Sequence, residues 1–158
     1  PDVHGPESGW YGVSNLAAEG QQYLGLSVRE TGTYECIGQK LTDTLRKEKY
    51  YHCEVWLSKS PSFRSAVLGK SRDTVKNFTT PCVLRLWAGV SDCDRRYLLR
   101  TTPAIDHVAW QKYRIPFKVP EDCTHFFLEA YYENGGQVSY NGHILLDDVQ
   151  LTRAHKRE

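Results

Sequence analysis

The sequence predicts an all-β domain, a two-sheet antiparallel β-sandwich of the jelly-roll type. Apolar and polar residues alternate with a period of two over most of the chain, which is typical of strands that bury one face. Turn-forming residues fill the connections, and no segment shows the 3.6-residue period of an amphipathic helix. Strands with one apolar face each are buried most simply by packing two sheets face to face, which favours a sandwich.

The alternation also places the individual strands along the chain. Residues 30–33 contain a glycine between the first two strands and predict a hairpin turn there. Pro116 lies within the fifth strand and predicts an edge position, because proline has no N–H to donate to a neighbour. Residues 58–80 and 88–110 show little periodicity and are predicted to be long loops. The predicted strands are residues 24–28, 34–41, 51–57, 84–87, 113–119, 126–132 and 144–151.

The length of 158 residues predicts one module over residues 1–158, large enough to bury a core without obligatory metal or disulfides. Residues 152–158 are charged and are predicted to be a frayed tail. The chain has no methionine and begins at Pro1, which favours a piece of a longer protein.

Charge and hydropathy exclude two classes of partner. Lys and Arg number 20 against 19 Asp and Glu, so the net charge of +1 provides no long-range attraction for nucleic acid or an acidic membrane. No apolar run is long enough to insert into a bilayer.

Five cysteines lack the spacing of a zinc site, and Cys53 and Cys82 are predicted to be buried thiols. A disulfide that involves Cys93 remains open.

The strand phase also predicts a binding surface. Side chains that alternate with the apolar positions point away from the core, and we expect them to share one surface if the strands lie in one sheet. Rings flanked by charges suit sugars, because C–H faces stack on aromatic rings while charged groups bond hydroxyls. The alternative is an Arg85–Glu129 cross-strand ion pair on a face that loop 58–80 covers. The candidate ligand-binding residues are Glu54, Trp56, Arg85, Trp87, Glu129 and Tyr131.

Four runs of the sequence carry a resemblance to a known group of domains. They are residues 22–26 (QYLGL), 34–41 (YECIGQKL), 84–89 (LRLWAG) and 140–149 (YNGHILLDDV). These runs resemble the galactose-binding-like jelly-roll modules of secreted and surface proteins from gliding, polymer-degrading bacteria. The resemblance extends from about Trp10 to Leu151 and implies a carbohydrate-binding module located outside the cell or on its surface.

The same resemblance implies a structural calcium ion held by Asp147, because an acid at this place in the last strand binds calcium near the first strand in similar modules. The alternative is that Asp147 caps backbone N–H groups or pairs with a lysine. Similar modules begin with an additional strand that is missing here or lies before Pro1. Part of the calcium site would be missing with it.

The hypothesis that follows is a non-catalytic carbohydrate-binding or adhesion module that binds polysaccharide or glycan. The alternative is a structural or protein-interaction module whose aromatic residues pack against a neighbouring domain. An enzyme is the less favoured hypothesis. A glycosidase would use Glu54 and Glu129 as its two carboxylates, about 5–10 Å apart. A polysaccharide lyase would use His52, Tyr131 and Arg85.

Overall fold

The structure is a computed structural model, and it describes residues 1–5, 11, 13–66 and 75–154. Within these ranges the chain folds into strands joined by turns, and no helix there is long and apolar enough to cross a membrane. The strands are β1 (Asp2–His4), β2 (Tyr23–Val28), β3 (Cys36–Leu45), β4 (Tyr50–Ser58), β5 (Arg64–Ala66), β6 (Val75–Asn77), β7 (Thr80–Gly89), β8 (Tyr97–Thr101), β9 (Gln111–Lys118), β10 (Cys123–Tyr132) and β11 (Gly142–Arg153).

Two curled antiparallel sheets form the sandwich. The five-stranded sheet has the order β1-β2-β11-β4-β9, and the four-stranded sheet has the order β3-β10-β7-β8. A short parallel contact joins the sheets, in which Gly142 and His143 of β11 pair with Thr80 and Pro81 of β7. β5 and β6 pair with each other in a separate two-stranded antiparallel sheet. The predicted all-β jelly-roll sandwich is therefore confirmed.

The core lies between the two sheets and is built from the apolar positions of the alternation. β4 contributes Cys53, Val55 and Leu57, and β7 contributes Leu84 and Leu86, all fully buried. Burial of this kind contributes about 25 cal/mol per Å² of apolar surface and is the main source of stability. The other principal core residues are Leu26, Val28, Phe117, Phe126, Leu128, Ala130, Tyr132, Ile144 and Leu146.

A second apolar cluster covers the outer face of the five-stranded sheet. Val13, Tyr23, Phe63 and Leu145 pack together, with Trp110 at the edge of the cluster. Phe63 belongs to the connection that follows β4, so this part of loop 58–80 covers the five-stranded sheet. The expectation that loop 58–80 covers the Arg85–Glu129 face is therefore wrong for residues 58–66, and residues 67–74 lie outside the described ranges.

The turn at residues 30–33 forms, and the hairpin that it was predicted to close is present but short, with Val28 pairing antiparallel with Tyr34. The N–H of Gly32 donates to the carbonyl of Arg29 at 3.0 Å, as a tight turn requires, and the N–H of Arg29 donates to the carbonyl of Thr33 at 2.8 Å. β2 nevertheless pairs with β1 and β11, whereas β3 pairs with β10. The N–H of Glu35 donates to the carbonyl of Ser27 at 2.9 Å, and the carboxylate of Glu35 accepts the N–H of Ser27 at 2.7 Å, where the chain crosses between the sheets.

Three other expectations can be compared with the structure. Pro116 lies in β9, which pairs with β4 alone among the described strands, so its edge position is confirmed. The loops predicted at 58–80 and 88–110 contain the short strands β5, β6 and β8. Thr152 and Arg153 pair with β4, so any frayed tail starts later than residue 152, and residues 155–158 lie outside the described part of the chain.

Candidate ligand-binding face

The structure divides the six candidate binding residues between two surfaces. Glu54 and Trp56 lie on β4, on the outer face of the five-stranded sheet. The other four lie on β7 and β10, on the outer face of the four-stranded sheet. The prediction of one shared surface is wrong, because the core lies between the two groups. The alternation of a strand shows which side chains point away from the core, but not the sheet to which the strand belongs.

A buried carboxylate organises the face of the four-stranded sheet. Glu129 is 1% exposed and lies directly opposite Arg85 in the pairing of β10 with β7. Its Oε1 accepts hydrogen bonds from Arg85 Nε at 2.7 Å and from Trp87 Nε1 at 3.2 Å. Its Oε2 accepts a hydrogen bond from Arg95 Nη1. Both carboxylate oxygens are thus engaged, and Glu129 anchors its neighbours.

Aromatic rings surround this anchor and alternate with the two guanidinium groups. Arg85 lies over the ring of Tyr131, 3.6 Å from its centroid, and 4.9 Å from the centroid of the Trp87 ring. Tyr34 meets Tyr131 edge to face with centroids 5.0 Å apart, and Arg95 lies 5.8 Å from the Tyr34 centroid. Such cation–π contacts strengthen as the groups are desolvated. We call these six residues the Glu129 cluster: Tyr34, Arg85, Trp87, Arg95, Glu129 and Tyr131.

Two clefts open on either side of the Tyr34–Tyr131 contact. The first cleft has a volume of about 400 Å³, and its lining includes Arg85, Thr101, Tyr131 and Glu133. The second cleft has a volume of about 390 Å³. Both volumes fall in the range of small-molecule sites. The second cleft is lined by Tyr34, Cys36, Gly38, Asp92, Cys93, Arg95 and Phe127.

The sequence did not single out two residues of the Glu129 cluster. Tyr34 precedes β3, and the residue is 36% exposed. Arg95 follows the Asp92-Cys93-Asp94 turn, in a segment predicted to be loop. The local sequence pattern could not place either residue beside Glu129, because both lie in connections between strands. Trp87, which was predicted to stack on a ligand, lines neither cleft and instead donates its indole N–H to Glu129.

The outer face of the five-stranded sheet carries exposed ion pairs around Glu54. Lys112 Nζ lies 2.9 Å from Glu54 Oε2, and Arg114 Nε lies 3.6 Å from Glu54 Oε1. The hydrogen bond from Lys112 lowers the pKa of the Glu54 carboxyl, so this group is ionised at neutral pH. Exposed pairs of this kind contribute little to stability, because water and salt screen them.

This division of residues contradicts both catalytic arrangements. Glu54 and Glu129 point away from the core on opposite sheets, so they cannot act as the paired carboxylates of a glycosidase. His52 is buried on β4 in the five-stranded sheet, whereas Tyr131 and Arg85 lie in the other sheet. The lyase trio is therefore not assembled.

Asp147 lies where β11 departs from its regular pairing with β4. Its Oδ2 accepts the N–H of Glu19 at 2.9 Å, and its Oδ1 accepts the N–H of Asp148 at 2.9 Å. Calcium prefers six to eight oxygen ligands. No group of three or more acidic, histidine or cysteine side chains in the described ranges could hold a metal. The contacts agree with the capping role, and calcium binding stays a prediction.

No protein-family model and no curated protein matches the sequence. Among solved structures, the chain is similar to "Family 16 Carbohydrate Binding Module-2", with 19% identity, a TM-score of 0.47, and coverage of 94% of this chain and 89% of that chain. It is similar to the Stig cyclase FisC from Fischerella sp. TAU, with 16% identity, a TM-score of 0.54, and coverage of 96% and 73%. A third structure, described as "CBM4 structure and function", shares 12% identity with a TM-score of 0.44 and coverage of 82% and 94%. At these identities the likeness concerns the fold, a β-sandwich jelly roll, and assigns no function.

Proposed function

We propose that this chain is a non-catalytic carbohydrate-binding module of a secreted or cell-surface protein, and that it binds glycan on the outer face of the four-stranded sheet. The observation that carries the proposal is the Glu129 cluster together with its two clefts. Tyr34 and Tyr131 separate the clefts, and each cleft has an arginine in its wall. Neighbouring units of one oligosaccharide would occupy the two clefts.

The chemistry of these walls suits a sugar. The C–H face of a pyranose packs on an aromatic ring, and its hydroxyls accept and donate hydrogen bonds. Each guanidinium has five N–H donors, more than the contacts with Glu129 use. Arg85 and Arg95 therefore keep donors for hydroxyl oxygens, while Glu133 and Thr101 supply acceptors in the first cleft.

The buried carboxylate contributes indirectly, by fixing the groups that would touch the ligand. Arginine side chains lose considerable rotamer freedom when they are immobilised. Because Glu129 already holds Arg85 and Arg95 in the free protein, less entropy is lost on binding. Both oxygens of Glu129 are engaged by these donors, which favours a binding role over an acid–base role.

The competing function is a protein-interaction surface on the same face. A partner surface is usually flat, with a desolvated apolar centre, whereas a small-molecule site is concave with convergent polar groups. The two clefts, each with one arginine in its wall, favour the second description.

The proposal is tested by probing a glycan array with the folded chain and then measuring affinity by calorimetry for a glycan that binds. Tyr34→Ala and Tyr131→Ala each remove a ring from the cleft walls. We expect each to weaken binding about tenfold or more, which corresponds to ~1.4 kcal/mol. Trp56→Ala is the matched control, because it removes an aromatic ring from the opposite face, and its affinity should equal that of the wild type.

Thermal unfolding of every variant separates lost binding from lost folding. If the folded protein binds no glycan on a broad array, glycan binding is contradicted and the interaction module is favoured. Binding that is lost in Trp56→Ala but kept in both tyrosine variants would place the site on the five-stranded sheet instead.

A further inference from the structure

The five cysteines fall into two groups by solvent access. Cys53, Cys82 and Cys123 are fully buried, and burial raises the pKa of the Cys53 and Cys82 thiols to about 12. Thiols of this kind are poor nucleophiles, because the reactive form is the thiolate. Cys36 is half-buried and Cys93 is exposed, and all five are free thiols. Reagents in solution can therefore reach only Cys36 and Cys93.

These two accessible cysteines line the same cleft. Cys36 lies at the start of β3, directly opposite Glu129 in the pairing with β10. Cys93 lies in the turn between β7 and β8, and both thiols contribute to the wall of the 390 Å³ second cleft. Arg95 lines the cleft with them. Two accessible thiols far apart in sequence are thus brought to one place by the fold. Partial burial raises the pKa of the Cys36 thiol to about 11, so Cys36 is the weaker nucleophile in solution and reacts when it lies beside an activated sulfur.

Contacts on both sides of Cys93 hold its turn over the sheet. The Asp92 carboxylate lies 3.2 Å from His125 Nε2 on β10, and Arg95 bonds Glu129 on the same strand. The turn itself is closed by local bonds, from the N–H of Val90 to Asp94 Oδ2 and from the N–H of Asp94 to the carbonyl of Ser91. A disulfide needs ~4.4–6.8 Å between Cα atoms, and these contacts keep Cys93 beside the sheet that carries Cys36.

We propose that Cys36 and Cys93 form a disulfide under oxidising conditions, which ties the turn between β7 and β8 to β3. An external low-molecular-weight disulfide is the oxidant. The Cys93 thiolate attacks one sulfur of that disulfide, giving a mixed disulfide and releasing one thiol. The Cys36 thiolate, its proton passed to solvent, then attacks Cys93 Sγ and releases the second thiol. Two electrons pass to the external disulfide, which leaves as two thiols.

The bond would act on the wall of the second cleft. Arg95 is two residues after Cys93, so fixing the turn also fixes the backbone from which this arginine reaches Glu129. The bridge would also enclose β4 and β7 in one covalent loop, and long closed loops gain the most from chain-entropy loss in the unfolded state. This inference does not depend on the proposed glycan binding, and its test uses no glycan.

The test incubates the full chain, first fully reduced, with a series of reduced and oxidised glutathione mixtures. Free thiols are then alkylated under denaturing conditions, and the chain is digested with trypsin without reduction. Cleavage after lysine and arginine places each cysteine in its own peptide, residues 30–40 and 86–95. We expect these two peptides to be joined, and the oxidised protein to melt roughly 5–15 °C higher than the reduced protein.

Cys36→Ser and Cys93→Ser should each abolish the joined peptide and the rise in melting temperature. Cys123→Ala is the matched control, since it removes a buried thiol and should leave both results unchanged. The inference is overturned if both thiols are alkylated separately in folded protein after full oxidation. It is also overturned if Cys36 or Cys93 is found joined to a different cysteine.

Discussion

Arg85 and Glu129 form an ion pair across β7 and β10, with Nη2 and Oε1 2.7 Å apart, although the glutamate side chain is 1% exposed. A carboxylate taken out of water loses hydration worth several kcal/mol, which only close, well-aligned partners can offset. Here Arg85, Arg95 and Trp87 supply those partners. The face of the four-stranded sheet therefore depends on one buried charge.

Replacing Glu129 with Gln should destabilise the protein strongly. Gln keeps the shape of the side chain but removes its charge, which leaves two guanidinium groups beside a neutral amide. We expect the free energy of unfolding to fall by about 2–3 kcal/mol, below the full value for a buried pair because Arg95 is partly exposed. Urea unfolding of both proteins measures the difference.

The matched control is Glu54→Gln on the other sheet. Glu54 also pairs with a cation, but the pair is exposed to solvent. Its free energy of unfolding should equal that of the wild type within the error of the measurement. If the free energy of unfolding falls equally in the two variants, the buried ion pairs of Glu129 contribute no more to stability than the exposed pair of Glu54.

Acid should weaken the fold through His143. This ring stacks on Phe63 with centroids 4.6 Å apart, and its Nε2 accepts the N–H of Ser60 at 2.8 Å. Burial, together with smaller electrostatic contributions from Lys59 and His4, lowers the pKa of His143 to about 3. The unfolded ring binds a proton below pH ~6.5 while the folded ring does not, so stability falls as pH drops from about 6.5 towards 3.

We expect the free energy of unfolding of the wild type to fall by about 2 kcal/mol between pH 7 and pH 5, from 1.4 kcal/mol per unit below the unfolded pKa. His143→Gln keeps an acceptor for Ser60 but cannot bind a proton. Its stability should therefore change less over the same interval, with the remainder due to His4, whose pKa burial also lowers. Urea unfolding at several pH values gives both slopes, and parallel slopes would contradict this role for His143.

The capping contacts of Asp147 predict a modest loss of stability in Asp147→Ala. The substitution leaves the N–H groups of Glu19 and Asp148 without their acceptor, which costs about 1 kcal/mol. Thermal unfolding in the presence of a chelator measures this loss alone. Asp148→Asn is the control, since asparagine tolerates the positive φ of 49° at this position.

The same two proteins test the calcium prediction. If Asp147 helps to bind calcium, added calcium must raise the melting temperature of the wild type and leave that of Asp147→Ala unchanged. Identical curves with calcium and with chelator would leave Asp147 with its capping role only.

Much of the strand content could be predicted from local alternation. The predicted strand at 51–57 lies within β4 (Tyr50–Ser58), and the one at 126–132 lies within β10 (Cys123–Tyr132). Burial of alternate side chains needs no knowledge of distant residues, so a single strand reveals it. The partner of a strand depends on contacts across the whole domain, which is why the sequence did not show that the pairing stops after a few residues and that β2 and β3 continue in different sheets.

The candidate site was only partly predictable for the same reason. Strand phase placed Arg85 and Glu129 on an outward face, and the cross-strand ion pair that was stated as the alternative is present in the structure. The phase could not separate Trp56 from Trp87, because equal alternation occurs in both sheets. Arg95 reaches Glu129 from a turn, and its approach follows from how the chain returns after β7.

The position of β11 has a consequence for how the protein is made. This strand pairs with β2 along residues 142–146 and with β4 along residues 145–153, so it is the one link between the two halves of the five-stranded sheet. It is also the last of the described strands in sequence. A ribosome therefore releases the β1–β2 and β4–β9 pairs before β11 exists, and β2 and β4 must each wait with one unpaired edge. Chaperone binding to such edges should be strongest on nascent chains that end just before residue 142.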